Sequence, residues 1–338
     1  MPELPEVEVV RGGLAPHVDG RTIERVEVLE QRSLRRQQGG PEAFARTVEG
    51  TRVARLERRG KFLWWRLQDA AGQETGQALM THLGMSGQLR VRTGASVPSP
   101  AQASATDGTG AVLLPPPDPA AGEPRGEGPA SDPHVHRRVV LHLEGSTLVD
   151  FVDQRIFGGL WTSPLVATED GLPASDGSPD DLLPEDVAGI GRDLLDPSLD
   201  RDAAIAVLRT RRAPVKALLL DQSLISGIGN IYADEGLWSA RTRYDTPGNA
   251  LTRGRAVRVL EGTEAVMRRA LDVGGTSFDS LYVNVDGRSG YFARSLAAYG
   301  REGEPCPRCG GTIRRAVLQQ RSCFYCPACQ RPLRVSSR

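Results

Sequence analysis

The first residues of the chain, Met1-Pro-Glu-Leu-Pro-Glu6, could supply a nucleophile together with an acid or base. Methionine is normally trimmed before a residue as small as proline, which would expose the secondary amine of Pro2. An α-amino group titrates at about pH 8, so a fraction of the amine is neutral and nucleophilic at physiological pH. Attack of this amine on an aldehydic carbon gives an iminium, which acidifies the neighbouring C–H bond and permits elimination. Glu3 could act as the acid or base and Glu6 could orient the amine, unless Pro-Glu is simply an ordinary start.

The five cysteines of the chain all lie in its last segment. Cys306 and Cys309 form one Cys-x-x-Cys pair, and Cys326 and Cys329 form a second after sixteen intervening residues. Two such pairs place four thiolates for tetrahedral Zn²⁺, and the residues between them can form a β-hairpin. Four thiolates close the coordination shell, which predicts one structural zinc; a redox-active pair is the alternative. Cys323 lies outside both pairs and is predicted to be a spare thiol.

A glycine-rich segment, Leu224-Ile-Ser-Gly-Ile-Gly-Asn230, leads directly into Ile-Tyr-Ala-Asp-Glu. Gly227 and Gly229 permit a tight hairpin whose backbone can approach a phosphate, and Asn230 is predicted to cap the following helix. The free N–H groups at the start of that helix favour an anion. The segment could therefore hold a DNA backbone between two helices; an ordinary turn between helices is the alternative.

The charges of the chain sum to zero, with 42 basic and 42 acidic residues, but they are unevenly distributed. Residues 94–133 carry five acidic and one basic side chain, and residues 161–200 carry ten acidic and one basic. Residues 201–338, in contrast, carry 22 basic and 12 acidic side chains, so a neutral total does not exclude a nucleic-acid partner. Only two basic residues are lysines, Lys61 and Lys216, which singles them out for roles that need a compact ammonium.

The composition excludes a membrane-spanning protein, a collagen-like chain and an acidic disordered protein. No apolar run is long enough to span a bilayer, and the start lacks a charged segment followed by an apolar one. Because the cysteines are too concentrated for a disulfide framework, we expect a reducing, cytoplasmic compartment.

The N-terminal half predicts one helix followed by antiparallel β structure. Residues 5–18 can form a short amphipathic helix. Many short strands with turn signals between them favour a sandwich or barrel. The strand-like runs lie at residues 22–29, 51–56, 62–67, 78–83, 88–91, 139–143 and 147–152. The segment 94–133 has nine prolines, six glycines and no aromatic residue, so we predict a disordered insertion.

Helical patterns dominate the C-terminal half. They follow an acidic segment at residues 164–200, which we interpret as an interdomain connector that could hold one short helix. Asp200 or Asp202 can cap the first of the predicted helices, and the last 40 residues form a small unit around the cysteines. The helices are predicted at residues 203–211, 214–220, 230–240 and 252–273.

Together these segments resemble the formamidopyrimidine-DNA glycosylase family, bifunctional glycosylase/lyases that excise oxidised purines such as 8-oxoguanine. The resemblance covers essentially the whole chain apart from residues 94–133. It rests on motifs that occur in the family's order: Pro2-Glu-Leu-Pro-Glu-Val-Glu8, Arg59-Gly-Lys-Phe62, His82-Leu-Gly-Met-Ser-Gly87, Asp153-Gln-Arg-Ile-Phe-Gly158, Gly227-Ile-Gly-Asn-Ile-Tyr-Ala-Asp-Glu235, Gly274-Gly-Thr276, Tyr299-Gly-Arg-Glu-Gly-Glu-Pro-Cys306 and Gln320-Arg-Ser-Cys-Phe-Tyr-Cys326.

The resemblance implies a catalytic role for four residues. Pro2 matches the nucleophile that attacks C1′ of the damaged nucleotide, and Glu3 matches the proton donor that helps to open the sugar and release the base. Lys61 matches the lysine assigned to β-elimination. Arg321 matches the arginine of the finger that is assigned to δ-elimination and phosphate binding.

Seven further residues match positions of the family that contact DNA. Met85, Arg155 and Phe157 resemble the trio that fills the space left by an everted base, with Arg155 facing the orphaned cytosine. Without the family, Met85 and Phe157 would be interpreted as core residues. The stretch Val283–Tyr291 corresponds to the loop that closes over the everted base. The other four DNA-binding positions are His134, Arg212, Lys216 and Asn230.

The implied fold is α+β and multidomain. It has an N-terminal antiparallel β-sandwich at residues 1–163, the connector at 164–200, a helix-two-turn-helix domain at 201–298 and a four-cysteine zinc ribbon at 299–335. The implied partner is double-stranded DNA that contains oxidised bases, bound in the cleft between the domains by a monomer in the bacterial cytosol. One structural Zn²⁺ is the implied metal, and no redox or nucleotide cofactor is implied.

The chain departs from the family pattern in its long insertion, in Cys323 where relatives usually carry Thr, and in Gln154 where Pro is commoner. The near alternative is an enzyme of the endonuclease VIII type, which prefers oxidised pyrimidines; Leu4 and the Arg155/Phe157 pair favour the purine enzyme. The other alternative is a damage-binding protein without catalysis. Such a protein would be expected to lose the amine, the acid or the first lysine, and none of them is lost.

Overall fold

The computed structural model describes residues 2–93, 136–275 and 295–333. The predicted disordered insertion at 94–133, the predicted DNA contact His134 and the loop Val283–Tyr291 lie outside the described residues. Within the described ranges, none of the helices is both long enough and apolar enough to cross a membrane.

Helix α1 (Leu4–Val18) joins the two halves of the molecule. Its first turn is buried on all sides, and from Val7 onward the buried residues recur every three or four positions and form one apolar face. That face packs into the core of the β region, whereas Leu4 of the first turn packs into the core of the helical region. The start of the chain is therefore fixed where the two regions meet.

The β region consists of two antiparallel sheets and a second helix, α2 (Gly40–Val48). One sheet has the order β1-β6-β7-β5, and the other has the order β2-β3-β4-β8-β9. The strands are β1 (Ile23–Val28), β2 (Arg52–Arg59), β3 (Phe62–Gln68), β4 (Glu74–His82), β5 (Gln88–Thr93), β6 (Arg137–Leu143), β7 (Thr147–Val152), β8 (Gly159–Ala167) and β9 (Leu182–Pro184).

Alternation along the strands sends neighbouring side chains to opposite faces of the sheet. Trp65 lies in the main core, and Trp64 lies in a smaller apolar cluster with Met80 and Trp161. Three residues of the acidic segment cover that smaller cluster: Ala174, Leu183 and Val187.

The acidic segment is therefore more than a connector. β8 continues to Ala167, β9 adds the fifth strand of its sheet, and a 3-10 helix spans Glu185–Val187. The segment has this structure because its few apolar residues cover the outer face of the sheet and its carboxylates meet arginines of β2 and β3.

The helical region packs around its own apolar core. Two side chains cap helices of this region. Asp200 accepts a hydrogen bond from the backbone N–H of Ala203 at 2.9 Å, and the side chain of Thr252 accepts one from the backbone N–H of Arg255 at the start of the last long helix. A two-stranded hairpin follows near the cysteines. The elements are α3 (Arg201–Thr210), α4 (Val215–Leu219), α5 (Asn230–Ser239), α6 (Arg253–Asp272), β10 (Arg314–Leu318) and β11 (Arg321–Tyr325).

Candidate active site and nucleic-acid interface

The side chain of Glu3 occupies the N-terminus of α5. Its carboxylate accepts hydrogen bonds from the backbone N–H groups of Gly229 at 2.8 Å, Ile231 at 2.9 Å and Tyr232 at 3.3 Å. The predicted anion-binding hairpin is thus formed, but the anion it holds is a side chain of this chain. Asn230 is the first helical residue and Gly229 occupies the cap position, so the prediction that Asn230 caps α5 is wrong. The carboxylate of Glu3, the residue before α1, accepts the hydrogen bonds that a capping side chain at the start of α5 would otherwise accept.

Two glycines make this close approach possible. A Cβ atom on Gly229 would lie 2.2 Å from the carboxyl carbon of Glu3, and one on Gly227 would lie 2.5 Å from a methyl carbon of Leu4. Gly227 also has a φ of +86°, which side chains rarely tolerate. The backbone N–H of Leu4 donates to the carbonyl of Gly227 at 3.1 Å. The hairpin therefore receives the first residues of the chain as a fitted segment.

Glu6 supports the backbone beside Pro2 rather than standing free. One carboxylate oxygen accepts from the backbone N–H of Glu3 at 2.9 Å, and the other accepts from the hydroxyl of Tyr232 at 2.7 Å. Pro2, Glu3 and Glu6 are all buried. These contacts hold the residue that follows Pro2 in a fixed position against α5.

Lys61 reaches the same hairpin from the turn between β2 and β3. Its Nζ donates to the carbonyl of Ile228 at 2.9 Å. Burial lowers the pKa of Lys61 and Arg321 lowers it further, whereas Glu3 raises it. Burial raises the pKa of Glu3, and the charge of Lys61 and the backbone N–H groups of Ile231 and Tyr232 only partly oppose that rise. The site thus combines a carboxyl group that holds its proton more tightly than usual with an amine that holds its proton less tightly.

The turn that carries Lys61 is fixed by a carboxylate of the acidic segment. Asp193 accepts from the guanidinium of Arg58 at 2.7 Å and from the backbone N–H of Gly60 at 3.1 Å. Gly60 has a φ of +57°, and its Cβ position would lie 2.7 Å from Oγ of Ser226 in the hairpin segment. The sequence contained no local motif that marked Asp193, because its partners are more than 130 positions away.

The trio that is predicted to fill the space left by an everted base lies at the tips of two adjoining turns. Met85 and Phe157 are 44% and 52% exposed, and Arg155 is also exposed. Exposure of such large apolar side chains excludes the alternative that they are core residues. The wedge turn, residues 153–158, is joined to the turn of Met85 by Asp153, which accepts from the hydroxyl of Ser86 at 2.6 Å.

Arg321 begins β11 at the tip of the C-terminal hairpin and is exposed. The two residues before it, Gln319 and Gln320, have φ angles of 48° and 62°. The charge of Arg321 is one of the causes that lower the pKa of Lys61, so the hairpin tip lies within electrostatic range of the main site. Catalytic candidates from the start of the chain, from the turn between β2 and β3 and from the last hairpin are therefore near one another.

Lys216, in contrast, is buried away from solvent. Its Nζ donates to Asp234 at 2.7 Å and to the carbonyl of Ser322 at 2.6 Å. The second oxygen of Asp234 accepts from the backbone N–H of Phe324 at 2.8 Å. Lys216 thus joins α4, α5 and β11, and the compact ammonium fits this enclosed position; its contact with a phosphate stays a prediction.

The two remaining described DNA-binding candidates differ in exposure. Arg212 is exposed in the loop between α3 and α4 and makes no ion pair with any described residue. Asn230 is half-buried at the start of α5, and its side chain hydrogen-bonds Tyr299. Oδ1 of Asn230 and Oγ of Ser226, in the same hairpin segment, are buried without a hydrogen-bond partner among the described residues.

The cysteines cluster as the spacing predicted. The ligand atoms of the four residues lie within 4.8 Å of one another: Cys306, Cys309, Cys326 and Cys329. A Zn–S distance of about 2.3 Å puts the sulfurs of a tetrahedral site roughly 3.8 Å apart, so this donor set fits zinc. The indole N–H of Trp238 donates to Sγ of Cys306 at 3.4 Å. Cys323 is buried on β11 and lies outside the cluster.

Three family models match the chain. The N-terminal domain of formamidopyrimidine-DNA glycosylase matches residues 1–160, the H2TH domain of the same enzyme matches residues 190–281, and the zinc finger found in FPG and IleRS matches residues 303–332. The formamidopyrimidine-DNA glycosylase of Leifsonia xyli subsp. xyli is 46% identical over 335 residues, which cover 98% of this chain and 100% of that relative.

The chain belongs to the formamidopyrimidine-DNA glycosylase family. Enzymes of this family are DNA glycosylases of base excision repair, and an AP lyase activity is part of the family. The finger is of the FPG type, with its four cysteines as one zinc site.

Solved structures of the family share the fold. The MutM (Fpg) protein of Thermus thermophilus is 31% identical, with a TM-score of 0.70 and coverage of 98% of this chain and 99% of that chain. A complex of Lactococcus lactis Fpg with DNA that contains an abasic site is 24% identical, with a TM-score of 0.70 and coverage of 97% and 99%. The α+β fold with two antiparallel sheets, an H2TH region and a zinc finger is thus confirmed.

Proposed function

We propose that this chain removes oxidised purines, such as 8-oxoguanine and formamidopyrimidines, from double-stranded DNA and then cleaves the strand by β- and δ-elimination. One observation carries the proposal: the first residues of the chain are buried against the glycine hairpin, with Glu3 and Lys61 both contacting it. The segment that bears the candidate nucleophile therefore lies beside the carboxyl group and the amine that the chemistry needs.

The proposed reaction begins with Pro2 as a free secondary amine. Its nitrogen lone pair bonds to C1′ of the damaged nucleotide while the sugar ring opens and Glu3 donates a proton. The N-glycosidic bond breaks, the base leaves with its electron pair and a proton, and an iminium joins Pro2 to C1′. A raised pKa favours Glu3 as the donor, because the carboxyl group keeps its proton nearer to neutral pH.

The elimination steps follow from the acidity of the C–H bond beside the iminium. Removal of a proton from C2′ expels the 3′ phosphate (β-elimination), and a second proton loss expels the 5′ phosphate (δ-elimination). We assign the first step to Lys61, whose lowered pKa makes the neutral amine more available, and the second to Arg321. Hydrolysis of the iminium regenerates the amine and leaves a gap of one nucleoside.

The DNA is proposed to lie across the hairpin, the wedge turn and the finger. Arg212, Asn230 and Lys216 are assigned to the phosphate backbone, and His134 is assigned to it as well. Met85 and Phe157 would support the duplex where the lesion leaves it, with Arg155 facing the orphaned base. The exposure of these last three side chains supports this assignment.

We further propose the domain division 1–163, 164–200, 201–298 and 299–335, with a monomer that works in the bacterial cytosol. The bacterial origin of the relatives supports the compartment. Lesion choice is part of the proposal, because family membership alone leaves it open.

Borohydride trapping on a duplex with 8-oxoguanine opposite cytosine tests the proposal. The reduced adduct is expected to form, and peptide mass spectrometry is expected to place it on an N-terminal peptide that begins at Pro2. No adduct, or an adduct on a lysine, would refute the assigned nucleophile. Excision of thymine glycol without excision of 8-oxoguanine would instead favour the pyrimidine-specific alternative.

The proton donor is tested separately with Glu3→Gln. Base release from 8-oxoguanine is expected to fall by at least about 10²-fold, because a general acid typically contributes this much. Cleavage of a preformed abasic site should fall less, since no base has to leave there. Glu24→Gln, an exposed carboxylate on β1, is the matched control and should behave as wild type.

A further inference from the structure

The wedge turn has an unusual backbone that needs external support. Residues 153–158 connect β7 of one sheet to β8 of the other, so they lie outside the named strands of both sheets. Ile156 has a φ of 55°, in the left-handed region that branched residues rarely adopt. The turn places Arg155 and Phe157 at its tip, and these are the residues that must meet the duplex in a fixed orientation.

The N–H groups of the turn are held by Asp153, which is fully buried. Its carboxylate accepts from the backbone N–H of Arg155 at 3.1 Å and of Gly158 at 2.7 Å. Asp153 also belongs to a motif of the sequence, so this half of the support is local.

The carbonyl groups of the turn are held by Arg35, which follows the 3-10 helix Gln31–Leu34 more than a hundred positions earlier. Its Nη1 donates to the carbonyls of Ile156 at 3.1 Å and Gly158 at 2.8 Å, and its Nη2 donates to the carbonyl of Phe157 at 2.6 Å. Three successive carbonyls therefore converge on one guanidinium. Arg35 makes no ion pair with any described residue, so its polar contacts in the described structure are with backbone carbonyls.

The wedge turn is also packed directly against the turn of Met85. A Cβ atom on Gly84 would lie 2.4 Å from the backbone nitrogen of Gly158, and one on Gly158 would lie 2.5 Å from the carbonyl oxygen of His82. The two turns cannot shift independently at this distance. A residue that fixes the carbonyls of one turn therefore also fixes the position of Met85.

We propose that Arg35 is a positioning residue that sets the orientation of Arg155 and Phe157 and thereby the discrimination of the base opposite the lesion. The inference rests on the proposed function, because it assigns those two side chains to the duplex. Arg35 acts through the backbone of the turn and touches neither the damaged base nor the sugar. The planar fork matters, because a single ammonium nitrogen cannot replace the two nitrogens that together bind three carbonyls.

The test uses three variants of the full chain: Arg35→Ala, Arg35→Lys and, as a control, Arg32→Ala. Arg32 lies on the same 3-10 helix, is exposed, and pairs only with the neighbouring Glu30 among the described carboxylates, so its loss removes the same charge without touching the turn. Single-turnover excision of 8-oxoguanine is measured opposite cytosine and opposite adenine. Hydrogen exchange of the amides of residues 155–159 is measured in the free protein.

Arg35→Ala is expected to reduce about tenfold the ratio of the excision rate opposite cytosine to the excision rate opposite adenine. Amide exchange in the turn should become faster to a similar degree, because the lost hydrogen bonds involve a charged donor. Arg35→Lys should lose most of the ratio as well, whereas Arg32→Ala should keep it within about twofold. Unchanged exchange in Arg35→Ala would show that the carbonyl contacts do not fix the turn. Faster exchange with an unchanged ratio, or full rescue by Arg35→Lys, would refute the role in discrimination.

Failure of the proposed function gives a different result. If the wild-type chain does not excise 8-oxoguanine opposite either base, the lesion assignment is wrong. The exchange measurement in the free protein still decides whether Arg35 fixes the turn.

Discussion

The acidic segment at residues 164–200 and the C-terminal finger use charge in opposite ways. In the acidic segment, carboxylates are paired with arginines that are largely buried. In the finger, most of the described arginines lack a carboxylate partner among the described residues, and all of these except the half-buried Arg308 are exposed to solvent. The pairs of the segment are Asp170–Arg192, Asp180–Arg55, Asp180–Arg66, Asp193–Arg58 and Asp196–Arg192. The unpaired arginines of the finger are Arg308, Arg314, Arg315, Arg321 and Arg331.

This difference explains how a chain with no net charge can bind a polyanion. Charges that are paired inside the protein are already neutralised and contribute little to the field outside it. The exposed arginines of the finger are free to release counterions from DNA. The relevant quantity is therefore the charge left unpaired on one face, which the total of 42 basic and 42 acidic residues conceals.

The strongest effect should be the salt dependence of DNA binding. If about five phosphates are neutralised, affinity should fall roughly 10²- to 10³-fold between about 50 and 200 mM salt. Fluorescence anisotropy with an undamaged duplex measures this slope without catalysis. A flat dependence would show that the unpaired arginines do not face the DNA, and the contrast between segment and finger would then have no bearing on binding.

The next strongest effect is expected where a buried pair is broken. Asp193→Ala leaves Arg58, which is 6% exposed, without one of its two carboxylate partners, and it also frees the backbone N–H of Gly60. We expect a loss of about 3 kcal/mol in the free energy of unfolding, measured by urea denaturation. Glu185→Gln removes an exposed carboxylate of the same segment and should cost less than about 0.5 kcal/mol. Equal effects of the two variants would contradict the distinction between paired and unpaired charge.

A finger arginine should show the reverse pattern. Arg321→Ala is expected to leave the free energy of unfolding within about 0.5 kcal/mol, because the side chain is exposed. DNA affinity should fall about tenfold and the salt slope should decrease by about one. Arg253→Ala, which removes an exposed arginine paired with Asp202, is the matched control and should change neither. Loss of stability in Arg321→Ala without loss of affinity would reverse its assignment.

Much of this site could be predicted because its chemistry is carried by short motifs. The cysteine spacing predicted the metal cluster, and Met85 and Phe157 are exposed at turns, as a contact with DNA requires. The capping of α5 by Glu3 could not be predicted from local patterns, because the two partners are more than 220 positions apart and a helix N-terminus accepts any anion. The same limit applies to Lys216, whose buried pair with Asp234 no motif indicates.

The fold was predicted where periodicity was strong. Seven strand-like runs correspond to β1 to β7, but β8 contains Pro164 and begins with glycine, which concealed it. The strand β9 is three residues long, too short to show alternation. Helix α2 was missed because two glycines and a proline stand at its start, and these residues usually indicate a turn.

The weakest effect should come from an exposed pair of the acidic segment, and it tests whether such a pair matters at all. Hydrogen bonds from Arg192 hold the pKa of Asp170 well below its usual range, although the Asp170 side chain is 46% exposed. A carboxyl group whose pKa is lowered on folding stabilises the protein above about pH 4 and loses this contribution as the pH falls further. After allowance for solvent screening, Asp170→Asn should cost only about 0.5 kcal/mol at about pH 7, and the difference from wild type should shrink between about pH 5 and pH 2. Thermal melting across this range measures it. A difference that stays constant with pH would mean that Asp170 stabilises the protein through the hydrogen bonds of its backbone turn and not through its charge. Only the buried ion pairs of the segment would then contribute to stability.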